Sequence, residues 1–547
     1  MHVRIGARDA LPARPLVNVL FIMADQLRWD HLGCTGHPYL RTPNIDALAR
    51  RGVRFANAFV QSGVCGPSRM SFYTGRYPIS HGATWNRVPL SVGEVTLGEM
   101  LGGHGLALAL AGKTHVMVDH EGLRRLQLDG GSELATLLAR GGFEEIDRYD
   151  GHHAPGDESG YPAFLRAHGY DGADPWSEHV ISALDAEGRV VSGWHMRNVH
   201  LPARVREEHS ETAYMTGQAI DYMQRMGDRP WVLHLSYVKP HWPYMAPAPY
   251  HASYTADQCL PVVRREQELH DAHPVLAAYR QQEECVSFQR DDCIRTVRPA
   301  YQGLVAQLDH HLGRLFDHMD GQGLLDDTLI VFTADHGDFL GDHWLGEKEL
   351  FYDTVQKVPM IVVDPRATAD ATRGSVEQRF VESVDVLPTV LDALDIPVPT
   401  HRVEGRSLLP LLRGEAVAGW RDVSYSELDY SYRHARLTLG KDVQQCRAFS
   451  LRSARWRYVY WLDEPEQLFD LDADPQETRD LAREAGYAGM VADCEAALRR
   501  VVDPDAADAS AKADQRARIA AFGGREAILG RGSFGYSPTP GSQPVYN

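Results

Sequence analysis

The sequence predicts an α/β protein: a large, mostly parallel sheet flanked by helices, joined to a small C-terminal antiparallel α+β domain. Three observations carry this expectation. Short apolar runs rich in branched residues, at Val17 to Ala24, Leu106 to Ala111, Trp231 to Tyr237, Leu329 to Thr333 and Val358 to Val363, read as buried strands. Helical patterns lie between them, and strands alternating with helices build a parallel sheet. After about residue 412 the texture changes to short alternating segments, RDVSYSEL, RAFSLRSARWRYVYWL and EQLFDLDAD.

Taken in order, the first run passes straight into Asp25 and Gln26. Arg4, Arg8 and Arg14 ahead of LVNVLFIMA imitate a secretory signal, but no small-residue cleavage site follows, so the run is read as a strand. Thr42 and Pro43 open a helix with an N-cap and a proline at the first helical position, and Gly52 closes it. Pro67 and Gly75 bound a short helix whose N-terminus carries Cys65. From Tyr301 to Met319, Tyr301, Leu304, Leu308, Leu312, Leu315 and Phe316 form one apolar stripe, and His310, His311 and His318 are assigned to that helix's faces. Asp25 ends the first strand and Asp335 follows the strand LIVFTA, at the carboxyl ends where ligands gather in such sheets. Residues 112–208 and 243–296 lack clear periodicity and read as long functional loops. A helix is expected from about Glu477 to Val501. The domain reading is a catalytic unit over 1–412, a small α+β unit over 413–510, and an extended arm over 511–547 in which Phe534, Tyr536 and Tyr546 could reach a neighbouring subunit.

The chain has 547 residues, 44% hydrophobic and 24% charged, as expected of a folded globular protein. Its formal charge of −18 argues against nucleic acid or an anionic membrane as partner, so any anionic substrate must meet a local cluster of cations. No stretch approaches the ~20 apolar residues of a membrane span. The seven cysteines, at 34, 65, 259, 285, 293, 446 and 494, include no C-x-x-C pair. A reducing, cytoplasmic setting is the expectation.

At a helix N-terminus, free N–H groups favour negative charge, so Cys65 reads either as an inert buried thiol or as a thiolate nucleophile. Its surroundings change that. Cys65, Pro67, Ser68, Arg69, Thr74 and Gly75, in GVCGPSRMSFYTGRYP, resemble the signature of the formylglycine-dependent sulfatases of the alkaline phosphatase superfamily, in the arylsulfatase/phosphonate monoester hydrolase branch. Tyr73 departs from the leucine common in that family. Further segments match in the family's order: MADQLRWD with Asp25 and Gln26, HGATWN with Asn86, LAGKTH with Lys113 and His115, YVKPHWPY with His241, TADHGD with Asp335 and His336, GDHWLGEKELFYD with Lys348, and EQLFDLDADPQETRDLA.

The resemblance implies that Cys65 is oxidised to formylglycine by a formylglycine-generating enzyme, and that Asp25, Gln26, Asp335 and His336, with residue 65, hold one divalent ion. Carboxylate and amide oxygens suit calcium, while His336 moves the preference towards manganese. It implies hydrolysis of a small sulfate or phosphonate ester. Lys113, Lys348 and Asn86 would bind its oxygens and Arg69 would stabilise the nucleophile; His241 with Lys348 would protonate the leaving group and His115 would serve as base in the second step. Phosphonate monoester hydrolases often lack the Lys-x-His pair and carry alanine in place of Ser68, so Lys113 and His115 favour sulfate esters, with promiscuity expected. Choline-sulfatase-like enzymes are a third possibility. Family members of this branch are often homodimers or homotetramers. Two readings outside this chemistry are a catalytically inactive scaffold and a cysteine hydrolase using the unmodified thiolate. Asp338 and Asp342 are left as structural or supporting residues.

Overall fold

The computed structural model describes residues 18–128, 131–151, 159–521 and 523–529. Fourteen strands occur among them: β1 (Asn18–Ala24), β2 (Val53–Phe59), β3 (Leu108–Gly112), β4 (Phe143–Arg148), β5 (Ser182–Leu184), β6 (Val190–Ser192), β7 (Trp231–Tyr237), β8 (Thr328–Ala334), β9 (Met360–Val363), β10 (Val376–Glu382), β11 (Val423–Asp429), β12 (Arg447–Ser453), β13 (Trp456–Trp461) and β14 (Gln467–Asp470). Eight form one sheet in the order β10-β2-β9-β8-β1-β7-β3-β4, β5 and β6 make a hairpin, and β11 to β14 form a second sheet in sequence order. Within the large sheet only β9 runs against its neighbours.

All five expected strands of the large sheet are present. The others, β2, β4 and β10, announce themselves less because they are only partly buried. β4 and β10 are the two edges of the sheet, and FEEIDR, VEQRFVE and VRFANAF each carry polar residues towards partly exposed positions. By contrast β1, β7 and β8 are buried along their whole length. Their register positions the chemistry: Ala24 lies opposite both Tyr237 and Ala334, and Gly112 opposite Ser236. Asp335 and Asp25 therefore leave the carboxyl edge on the adjacent strands β8 and β1, and Lys113 leaves it on β3, one strand beyond β7.

The helix Pro43–Arg51 has Thr42 and Gly52 at its ends. The apolar stripe belongs to a longer helix than expected, Asp291–Gly321, which runs through Pro299. Ile294 and Val297 are buried with Tyr301, Leu304, Leu308, Leu312 and Leu315, so packing carries the helix past the proline. The two long loop regions contain short helices, among them His120–Arg125, Glu133–Ala139, Pro274–Tyr279 and Glu283–Phe288. Two turns are too few to show a period in sequence. A helix not foreseen, Glu211–Met226, packs beside β7.

The second sheet carries the helix Ala488–Val501, shorter than expected, followed by Pro504–Ala521, which crosses the 510/511 boundary set from sequence. Phe534, Tyr536 and Tyr546 lie outside the described residues. The sheet is tied to the large domain by hydrogen bonds from Glu427 N to Gln61 O (2.7 Å) and Ser426 Oγ to Val60 O (2.7 Å). Its Leu428, Tyr430 and Phe469 share an apolar cluster with Phe339, Leu350, Phe351 and Tyr352. The C-terminal sheet thus packs directly on the loop that carries Lys348. No helix among the described residues is long and apolar enough to cross a membrane.

Candidate active site

Cys65 opens the helix Cys65–Thr74, whose residues are all buried and which ends at Gly75 in a left-handed conformation (φ 66°). Gly66 N donates to Asn86 Oδ1 at 2.7 Å, so the carbonyl end of Asn86 is taken. Its Nδ2 makes no hydrogen bond among the described residues, and remains able to donate.

Around Cys65 Sγ stand His336 Nε2 at 3.1 Å, Lys348 Nζ at 3.2 Å and Asp25 Oδ1 at 3.9 Å. His115 hydrogen-bonds the same thiol. Lys113 Nζ is in tight contact with Asp25 Oδ2. Arg69 donates through Nε to Asp335 Oδ2 (2.7 Å) and through Nη1 to Lys113 O and Ser236 Oγ (both 2.8 Å), and its Nη2 is 3.5 Å from Asp25 Oδ2. Ser68 Oγ donates to Asp335 O at 2.5 Å. Lys348 Nζ also reaches His241 Nε2 at 3.0 Å and Gln26 Oε1 at 3.2 Å. Every residue that the sequence singled out for the site therefore lies in one buried constellation, with Asn86 at its edge on Gly66.

Two tautomers follow from hydrogen bonding alone. His336 Nδ1 faces Gly337 O at 2.9 Å and His241 Nδ1 faces Trp242 O at 2.6 Å, and a carbonyl oxygen can only accept. Both Nδ1 atoms carry the proton. His336 then turns its Nε2 towards Asp25, Asp335 and Cys65, the orientation that a metal-ligating imidazole adopts. The ligating atoms of Asp25, Cys65, Asp335 and His336 lie within 4.8 Å of one another, all buried, so the donor set fits a single divalent ion. Gln26 N donates to Asp335 Oδ1 at 3.0 Å and fixes that carboxylate.

The electrostatics match an anion-handling site. Burial pushes the Cys65 thiol up, but Lys113, Lys348 and His336 outweigh it and hold the group well below the ordinary thiol range. Burial, and then the Lys348 ammonium, drives His241 down to about 3. Burial also works against the charge of Lys348, yet Cys65, Glu347 and Asp25 raise its pKa above the usual lysine range. The hydrogen bond between Lys348 and His241 thus has its proton on the lysine. Burial and Lys113 lower His115.

Several supporting residues surround the site, and of these Asp150 and the Glu211–Lys239 pair had no sequence signal. Asp150 accepts from Thr114 N (3.0 Å) and His115 N (3.2 Å), fixing the segment between Lys113 and His115. Asp338 accepts from Gln26 Nε2 (2.6 Å) and Tyr244 OH (2.7 Å), whereas Asp342 pairs with Arg28 and Arg298 away from the thiol. Glu211 pairs with Lys239 at 3.0 Å, and Lys239 Nζ donates to the carbonyls of His241 (3.2 Å) and Pro243 (2.9 Å), bracing the loop that carries His241.

A family model described as Sulfatase matches residues 17–396, and one described as N-sulphoglucosamine sulphohydrolase, C-terminal, matches residues 341–503. The chain is 32% identical over 498 residues to the multifunctional alkaline phosphatase superfamily protein PehA of Trinickia caryophylli, a match covering 87% of this chain and 93% of that protein. It is 28% identical over 494 residues to an arylsulfatase of Clostridium perfringens, covering 86% and 91% respectively. The solved phosphonate monoester hydrolase from Silicibacter pomeroyi superposes with a TM-score of 0.77 at 30% identity, covering 88% of this chain and 94% of that one.

Proposed function

The chain belongs to the sulfatase family, and from that premise we propose that it hydrolyses sulfate monoesters of the arylsulfatase kind, with phosphonate monoesters as a second substrate class, through a formylglycine made from Cys65. The observation that carries this reading is the convergence on residue 65 of Lys348 and His336, with Lys113 held on Asp25 beside them.

Three buried cations, Arg69, Lys113 and Lys348, face two buried carboxylates, Asp25 and Asp335, so the protein side chains alone leave a positive surplus for an ester anion. Asp25, Gln26, Asp335 and His336 would hold a divalent ion, calcium or manganese, which when bound would supply charge neutralisation and ease ionisation of the nucleophile. Cys65 Sγ marks the place of the hydrated aldehyde's oxygens, which supply a nucleophilic hydroxyl and a second hydroxyl through which sulfate can be released without water attacking sulfur. Lys113 and Lys348 bracket the ester oxygens, Asn86 Nδ2 donates to one of them, and Arg69 locks Asp335 and the Lys113 backbone in place. Because His241 is neutral with its proton turned to Trp242 O, it orients Lys348, and the proton offered to the leaving group is the lysine's. His115 is the base of the second step.

That last role has a sign. A pKa lowered from the ordinary histidine value of about 6.5 keeps His115 neutral, and able to take a proton, below the pH at which a free imidazole charges. The acid limb of kcat against pH is therefore expected to inflect below 6.5, and a limb inflecting well above that value would remove His115 from the role.

The proposal extends to maturation by a formylglycine-generating enzyme, a cytoplasmic setting suited to seven free thiols, and a homodimer or homotetramer. Its test is a panel: an aryl sulfate, an aryl phosphonate monoester and a phosphate diester, each with and without chelator, beside mass spectrometry of the peptide containing residue 65. An aldehyde at 65, chelator-sensitive turnover and the highest kcat/KM on the sulfate are expected. A higher kcat/KM on the phosphonate would favour the second reading, for which the structural likeness to the Silicibacter pomeroyi enzyme is the specific support. An intact thiol with full activity would sink both.

A further inference from the structure

One buried guanidinium of the C-terminal unit reaches the residue that directly follows Lys348. Arg433, in the loop between β11 and β12, is 7% exposed. Its Nη2 is in tight contact with Glu284 Oε1, and its Nε lies 3.0 Å from Glu349 Oε2. Both carboxylates are buried. Glu349 directly follows Lys348, and its backbone pairs antiparallel with Gly63, two residues before Cys65. A Cβ at position 63 would lie 2.8 Å from Glu349 O, so the approach of these two strands of chain depends on glycine there.

Lys348 is bracketed by two non-glycine residues with left-handed backbones, Glu347 at φ 57° and Glu349 at φ 98°. Such conformations persist only where the surroundings over-determine them. At residue 349 the surroundings include Gly63 on the backbone side, and Arg433 and the Tyr279 hydroxyl on the side-chain side. The side chain displayed between the two strained positions is the ammonium 3.2 Å from Cys65 Sγ.

We infer that Arg433 is a positioning residue: by clamping Glu349 against Glu284 it holds the strained backbone that aims Lys348 at residue 65. The C-terminal sheet then completes the site rather than merely covering it. An arginine suits the task because its planar fork can engage two carboxylates at once, which a lysine ammonium at the same place does not reproduce. The inference rests on the reading in which Lys348 acts on the ester.

The test is a set of kcat and KM values for an aryl sulfate on Arg433→Met, Arg433→Lys, Glu349→Gln and Lys348→Ala, and on Arg433→Met combined with Lys348→Ala. A misaimed catalytic cation is expected to lower kcat by about ten- to a hundred-fold in Arg433→Met, with KM moving less, because displacements of about 1 Å cost on that scale. Arg433→Lys should recover part of the loss. With Lys348 already removed, Arg433→Met should cost less than about two-fold more, since coupled residues are not additive. If Arg433→Met fails to fold, Glu349→Gln, which keeps the side-chain volume, carries the same expectation. A full, independent loss in the Lys348→Ala background, or wild-type kcat in Arg433→Met, would overturn the inference while leaving Lys348 its role. Wild-type kcat in Lys348→Ala would overturn that role and the inference together.

Discussion

Cys65→Ala is expected to lower kcat/KM for an aryl sulfate by at least about 10⁴-fold, because the nearby Ser68 and Ser236 hydroxyls are engaged by Asp335 O and Arg69, and what remains is binding and charge stabilisation. The sharper variant is Cys65→Ser. A serine offers one hydroxyl where the hydrated aldehyde offers two. It can attack the ester once, but the sulfated serine has no second hydroxyl from which His115 could take a proton to expel sulfate. Cys65→Ser should therefore release at most one equivalent of leaving alcohol per active site and then stop, visible as a burst without a steady state. Sustained turnover by the serine variant would refute release through the second hydroxyl, since the sulfated enzyme would then be opened by water. Arg69 and Lys113 make the experiment readable: they are anchored to Asp335 and Asp25, not to the sulfur, so the charge cluster survives the substitution.

How much of this was legible in sequence follows from where each residue lies. Asp25, Lys113, Asp335 and Cys65 sit at the ends of buried strands or at the start of a helix, where an apolar run stops abruptly at a charge, and such boundaries are visible in one dimension. The motif around Cys65 added an order along the chain that placed His115, His241, His336 and Lys348. The strands β2, β4 and β10 were not legible, because a half-buried strand near a sheet edge has no continuous apolar run. Nor were Asp150, the Glu211–Lys239 pair and Arg433. Each acts through a partner remote in sequence or through a backbone atom, and their own neighbours look like those of any solvated charge. The long helix was legible only in part: its apolar stripe from Tyr301 was read, whereas the helix begins at Asp291, ahead of Pro299, where Ile294 and Val297 are also buried.

The second large effect falls on Asp25. Its carboxylate is wholly buried and is shared among Lys113, Arg69, His336 Nε2 at 3.6 Å and the thiol position. Burial and the nearby thiolate push it towards protonation, but the Lys113 ammonium and the Arg69 guanidinium prevail and hold it well below the usual carboxylate range. It is therefore charged at any pH where the enzyme works, a counter-ion to Lys113 and Arg69 and, on the proposed reading, a metal ligand as well. Asp25→Asn keeps the shape and removes the charge. The bound ion should be lost or weakened, and Lys113 and Arg69 are left with one carboxylate, Asp335, between them. Removing one partner from a buried ion pair costs about 3–5 kcal/mol, so a lower unfolding midpoint in urea should accompany the loss. For catalysis the expected fall in kcat/KM is about 10³-fold or more, beyond what one lost hydrogen-bond donor accounts for. Metal content measured on purified protein should drop in parallel, and added calcium or manganese should restore only part of the rate. An Asp25→Asn protein that kept a full equivalent of metal and near-normal turnover would place the ion elsewhere, and with it the division of labour between the carboxylates and the lysines.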